Sequence, residues 1–342
     1  MSKKTKRKFD LKSAILILLL LAALLTASTY AWFTANRVVT VSDIDVHIDT
    51  KDGLQISADG VNWKSQLSTD DLKVGYTGSK NVLPTTMEPV STVGNVTNGL
   101  MNMFYGQIDS STGDYAVYAD AITPETANST DGKYVAFDIF LKVNNDQPNI
   151  VLGSNSSVVF KTDGSGKEGL QNATRVAFLK EGWSDVVDGT DVSAYTSQWG
   201  ASNFSEAKTT NLDSTNTYIW EPNCKSHNTT ALSVANTYGI TTADTIKAYG
   251  INQAIAKDNA IILKNAMNGK GADDQESQYF TQMTPSYSTE TAMTDVANAF
   301  SLKAGVTKLR IYMWVEGQDV DCEDTVSGSD ITFKLEFKLP DA

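Results

Sequence analysis

Glu316, Asp319, Asp321, Glu323 and Asp324 form the densest run of carboxylates in this 342-residue chain. Carboxylates at alternate positions can converge on a hard cation such as Ca2+. The run lacks the bracketing helices, the central glycine and the terminal glutamate of an EF-hand loop. It reads either as an irregular calcium site or as a solvated acidic turn, and nothing else in the chain suggests a cofactor. Cys224 and Cys322 are the only cysteines. In an exported chain an even count permits one bridge, which would close a loop of about 100 residues and constrain the unfolded chain. Two thiols are the alternative.

His47 and His227 each stand alone, and there is no HExxH. Zinc needs three or four clustered ligands, so each histidine reads first as a strand or surface residue. Ser57-Ala58-Asp59-Gly60-Val61-Asn62-Trp63 is one residue short of the Asp-box of sialidases and occurs once. Such an enzyme also needs an arginine cluster, and only Arg37, Arg175 and Arg310 follow the first 31 residues. A hairpin turn with a packed tryptophan is the simpler reading. Trp183, Tyr195 and Trp199, in a Gly/Ser-rich stretch, could stack on sugars or pack beneath a long loop. There is no Gly-rich phosphate loop, no G-x-S-x-G elbow and no dinucleotide fingerprint. The inventory points away from an enzyme.

The charge is unevenly spread. Residues 1–31 hold six of the 28 bases and one of the 40 acids, leaving 22 bases against 39 acids, a net of −17. So acidic a body repels phosphate backbones, which argues against nucleic acid as a partner. The basic head precedes an apolar run at 14–25 (AILILLLLAALL) and then small and polar residues up to Ala31. This is the order of a secretory signal. Cleavage by a signal peptidase is expected after Ala31, leaving Trp32 first. The alternative is an uncleaved N-terminal helix that holds the chain in the membrane with its basic head in the cytoplasm.

The elements that follow read as β-structure. Residues 38–48 (VVTVSDIDVHI) alternate but change phase midway, which predicts a bulge near Ser42 and Asp43. The phase change would let the two halves face different apolar surfaces. Leu54, Ile56, Val61 and Trp63 flank a turn at Asp59-Gly60. Residues 134–143 (YVAFDIFLKV) read as a half-buried strand, with further strands at 158–161, 174–180, 217–220, 308–316 and 331–339. In the last, Ile331, Phe333, Leu335, Phe337 and Leu339 line one face. Residues 242–268 are rich in Ala, Ile and Lys and suggest one or two short helices, with Thr242 as a cap. Many short strands without βαβ alternation predict a mainly β, antiparallel sandwich. The expected layout is a signal at 1–31 and a single domain at 32–342, with a partly helical insertion near 223–300.

Thr29-Tyr30-Ala31-Trp32-Phe33-Thr34 resembles the signal boundary of the TasA/camelysin group of exported Gram-positive proteins. Further stretches resemble a set of uncharacterised clostridial exported proteins. These are Gly53-Leu54-Gln55-Ile56-Ser57 with Asp59-Gly60 and Trp63, Thr174-Arg175-Val176-Ala177-Phe178, Ile219-Trp220-Glu221-Pro222-Asn223, and Trp314-Val315-Glu316-Gly317-Gln318-Asp319-Val320-Asp321-Cys322. The resemblance implies a jelly-roll-like sandwich, export, and assembly with copies of itself into matrix fibres or display at the cell surface. The N-terminal strand is the expected donor between subunits. A membrane-anchored adhesin or glycan-binding module is the competing expectation.

Overall fold

The last strand shows how the core is built. The computed structural model describes residues 38–49, 53–97, 99–111, 115–122, 131–161, 169–184, 217–227, 229–242, 245–246, 248–283, 287–288, 296–322 and 328–339. In it the strand Asp330–Lys338 buries Ile331, Phe333, Leu335 and Phe337 completely, with Leu339 just beyond its end. Lys334, Glu336 and Lys338 take the other face, as alternation requires.

The chain is mainly β, in several sheets whose pairings are mostly antiparallel. The larger sheet runs Val296–Leu302, Gln147–Leu152, Asp330–Lys338, Val39–Ile48, Thr86–Met87, Asp131–Gly132. Ser157–Phe160 and Gln66–Leu67 add to its middle strands. The second sheet runs Gln55–Ser57, Val135–Val143, Gly305–Val315, Thr174–Ser184, Thr217–Glu221, Tyr287–Ser288. The two sheets face each other across one core, to which both contribute. Phe178 and Phe337 meet across it edge to face, 5.6 Å apart.

Val39–Ile48 pairs in parallel with Asp330–Lys338, so the first and last described strands are neighbours. The predicted bulge is present, as a register shift between Val41 and Asp43. Its effect differs from the expectation. The extra residue restores the phase, so Val39 and Val41 face the same core as Ile44, Val46 and Ile48. The two halves do not face two surfaces.

Val135–Val143 also departs from expectation, because both of its faces are buried. The second face is closed by residues from another part of the chain. Val82, Val90, Val96, Met101 and Met103 cluster there with Ala136, Ala177, Tyr312 and Trp314. Alternation reports that one face is apolar, but what lies over the other face is decided at long range.

Residues 104–121 and 229–283 build a further cluster. The hairpin Phe104–Asp109 and Ala116–Ala121 packs with Ile251, Ile255, Leu263 and Phe280. The helix Thr229–Tyr238 joins it through Ala231, Ala235 and Tyr238. Among the described residues of 242–268, Leu263–Met267 is α-helical and Lys257–Asn259 is a 3-10 turn, as expected of one or two short helices, whereas Thr242 ends the two-residue strand Thr241–Thr242 instead of capping a helix. Sheet pairing overrides helix propensity here. Tyr249–Ile251 pairs with Phe280–Gln282, and a Cβ on Gly250 would stand 2.4 Å from the Thr92 carbonyl oxygen. Among the described residues no helix is long and apolar enough to cross a membrane. The expected signal and its cleavage site, Ala31 and Trp32, lie outside the described residues.

Candidate functional site

Three of the quoted stretches meet at one end of the second sheet. Arg175 lies on the outer face of Thr174–Ser184, opposite Trp314 in the next strand. It is fully buried. Its Nη2 reaches Asp319 Oδ2 at 2.5 Å and Glu221 Oε1 at 2.6 Å, and its Nη1 donates to the Thr174 carbonyl at 2.8 Å. Burial works against the guanidinium charge, but Glu221, Asp319 and Glu316 outweigh it, so its pKa lies above the ordinary range. Asn223 follows Glu221 in a left-handed conformation (φ 55°) that asparagine tolerates. Its amide donates to the Val158 carbonyl at 2.9 Å and so ties the larger sheet to this end.

The carboxylates of the acidic run diverge. Glu316 is completely buried and accepts from the Trp314 indole at 3.1 Å and from the Gln318 N–H at 3.2 Å. Burial pushes its carboxyl up to about 7, although bonds from Ser91 and Trp314 favour the charged form. Asp319 turns to Arg175. Asp321, also fully buried, lies 2.5 Å from His227 Nδ1. That bond raises the imidazole pKa against the opposing effect of burial. The solvated-turn reading is therefore corrected for Glu316, Asp319 and Asp321, because Arg175, Trp314 and His227 supply partners that make burial tolerable. Glu323 and Asp324 lie outside the described residues. Among the described residues no three His, Cys, Asp or Glu side chains are grouped as a metal ion would need. Cys322 is buried and Cys224 is half-buried.

A second charged cluster lies on the same outer face, and sequence reasoning passed over it. Asp138 sits opposite Arg310, and Lys308 opposite Phe140. Lys308 Nζ is 3.0 Å from Asp138 Oδ2 and 2.5 Å from Glu181 Oε2. Arg310 Nη1 holds Asp138 Oδ1 at 2.7 Å, and the Tyr76 hydroxyl donates to Asp138 Oδ2 at 2.8 Å. Lys308, Asp138 and Arg310 are buried. Burial alone would raise the Asp138 pKa, but Lys308 and Arg310 bring it down to about 2. Burial raises the Glu181 pKa despite Lys308. Glu181 reaches the cluster by alternation, since it shares the outer face with Arg175, Ala177 and Leu179; the register then slips between Lys180 and Gly182, so that Gly182 pairs with Lys308. The available signal was a charge placed inside a strongly apolar strand, Asp138 in one and Lys308 with Arg310 in the other.

The remaining sequence candidates have structural places. Asp59 accepts from the Val61 and Asn62 N–H groups at 2.8 and 2.7 Å, and Trp63 packs beside Phe140 and Val306. The Asp-box-like stretch is thus a turn with a packed tryptophan. Trp183 donates to the Ala304 carbonyl at 2.8 Å, with Lys303 over its ring. Tyr195 and Trp199 lie outside the described residues. His47 lies in the larger sheet opposite Glu336 and Gln66.

A cleft of about 560 Å3 opens in the cluster built by 229–283, lined among others by Tyr249, Asn252, Asn268, Lys270, Glu276 and Gln282. Gly269 lies flat on the Tyr249 ring, where a Cβ would come within 2.4 Å of Cδ1. The Gln318 amide donates to the Tyr249 carbonyl and links the cleft to the Arg175 network. No protein-family model, curated protein or solved structure is significantly similar to this chain.

Proposed function

We propose that the chain is an exported structural protein of a bacterial surface or extracellular matrix. In this reading it is a jelly-roll-like sandwich, led out by residues 1–31, that assembles with copies of itself through its N-terminal strand. The observation that carries the reading is the position of Val39–Ile48. This strand lies inside the larger sheet, beside the last strand, and gives Val39, Ile44, Val46 and Ile48 to the core. A terminal strand with these pairings can be supplied by another copy with every contact unchanged, and an exchange that does not close on itself grows into a filament. The bulge supplies a dividing point: Asp43–Ile48 pairs with Thr332–Phe337, whereas Val39 and Thr40 pair also with Met87 and Thr86.

Electron microscopy of the chain beginning at Trp32 tests the reading. Filaments are expected, and deletion of residues 32–41 should leave a folded monomer held by Asp43–Ile48. Fibres formed by the truncated chain would contradict it. A second reading, glycan binding, is favoured by the cleft at Tyr249, where amides and an aromatic ring offer hydrogen bonds and an apolar face together. Single particles that bind oligosaccharide would support that reading instead.

A further inference from the structure

We propose that Lys308 and Asp138 condense into an intramolecular isopeptide bond, with Glu181 as the base, which welds the neighbouring strands Val135–Val143 and Gly305–Val315 of the second sheet. This goes beyond the functional reading above and does not depend on assembly. The amine nitrogen and the carboxyl are already in contact, Nζ to Oδ2 at 3.0 Å, on neighbouring antiparallel strands. Groups held so gain the entropy advantage of an intramolecular reaction.

Each remaining atom of the cluster has a task in that reaction. Glu181 Oε2, 2.5 Å from Nζ, takes a proton from the ammonium and leaves a neutral amine. Glu181 passes that proton on to Asp138 Oδ2, so that a neutral carboxyl faces the neutral amine; the nitrogen lone pair then attacks Asp138 Cγ, and the carbonyl electrons move onto Oδ1. Arg310 Nη1, 2.7 Å away, stabilises the charge that develops there. Two protons pass in all from Nζ to Oδ2, which departs as water. The Tyr76 hydroxyl, at 2.8 Å from Oδ2, assists that departure. An ammonium and a carboxylate become one amide and one water, so the balance needs no oxidant and no cofactor. Burial favours this direction, since two charges deprived of water are replaced by a neutral amide. Arg310 and Glu181 remain and balance each other's charge.

Intact-mass spectrometry of the denatured, purified chain tests the proposal. The expected mass is lower than the sequence mass by one water in essentially every molecule. A protease digest should yield a branched peptide that joins the Lys308 and Asp138 segments. Glu181→Gln, which keeps the size of the side chain, should show native far-UV circular dichroism and the full sequence mass. A folded wild-type chain with full sequence mass would overturn the proposal. So would a water loss that maps to an Asp-Gly pair such as Asp59-Gly60, where a succinimide forms without Lys308. A Glu181→Gln chain that loses water as completely as the wild type would remove Glu181 from the reaction.

Discussion

The second sheet buries two faces made of different material. Toward the larger sheet, Phe137, Ile139, Phe178, Leu309 and Ile311 form an apolar layer. On the opposite face of the same strands lie Asp138, Arg175, Lys308 and Arg310, just as deeply buried. The apolar face gains by leaving water whatever its exact neighbours. The charged face is stable only if each group finds its partner, because an unpaired buried charge costs several kcal/mol. The inner face is therefore specified by pattern, whereas the charged groups set among the apolar residues of the outer face are specified by pairing.

The largest expected effects compare these faces directly. Phe178→Ala should cost about 3–5 kcal/mol, since it removes a large side chain from a packed core. Arg175→Met should cost about as much, ~3–5 kcal/mol, because Glu221 and Asp319 lose their cation. Adding Asp319→Asn should recover part of the second loss and none of the first. Urea unfolding of the three variants checks this, and a double variant no better than Arg175→Met alone would show that pairing is not the cause.

The next effect is one of pH. The Glu316 carboxyl is raised to about 7 in the fold from an ordinary value of 4.5. The native state therefore binds a proton that the unfolded chain releases. Its stability contribution is full below about pH 4.5 and is lost as pH rises through about 7, a change of at most about 3 kcal/mol. Melting temperature followed between these limits should fall more steeply in the wild type than in Glu316→Gln, which stays neutral. His227 adds a smaller effect of the same sign. Its pKa is raised by Asp321, so its contribution is present at low pH and fades as pH passes the raised value. His227→Gln should flatten that part of the melting profile. The smallest effect belongs to a surface cap. Ser68 and Asp71 form a reciprocal capping box on Thr69–Val74, so Ser68→Ala should cost about 1 kcal/mol in the same urea assay, at any pH from 6 to 8.

The contrast between the faces also explains what the sequence made legible. The inward set of Asp330–Lys338, the bulge near Ser42 and Asp43 and the turn at Asp59-Gly60 are local patterns, and the structure contains each of them. The burial of the second face of Val135–Val143 was not legible, because the covering residues lie between Val82 and Met103. Nor was the meeting of Arg175 with Glu221 and Asp319, which depends on strand order. The sequence leaves the acidic run open between a calcium site and a solvated turn for the same reason: a carboxylate in sequence carries no mark of the arginine or histidine that will face it. Within 242–268 composition points to short helices, and Lys257–Asn259 and Leu263–Met267 are helical, but the helix Thr229–Tyr238 lies outside that range and Tyr249–Ile251 is a strand.

In the proposed assembly the first strand is supplied by another copy. This exchange is tested most directly by adding a synthetic peptide of residues 38–49 to a chain that lacks residues 32–49. Saturable binding of the peptide and recovery of the melting temperature of the intact chain are expected, with the parallel pairing of Val46 to Leu335 restored. A truncated chain that neither binds the peptide nor regains stability would contradict it.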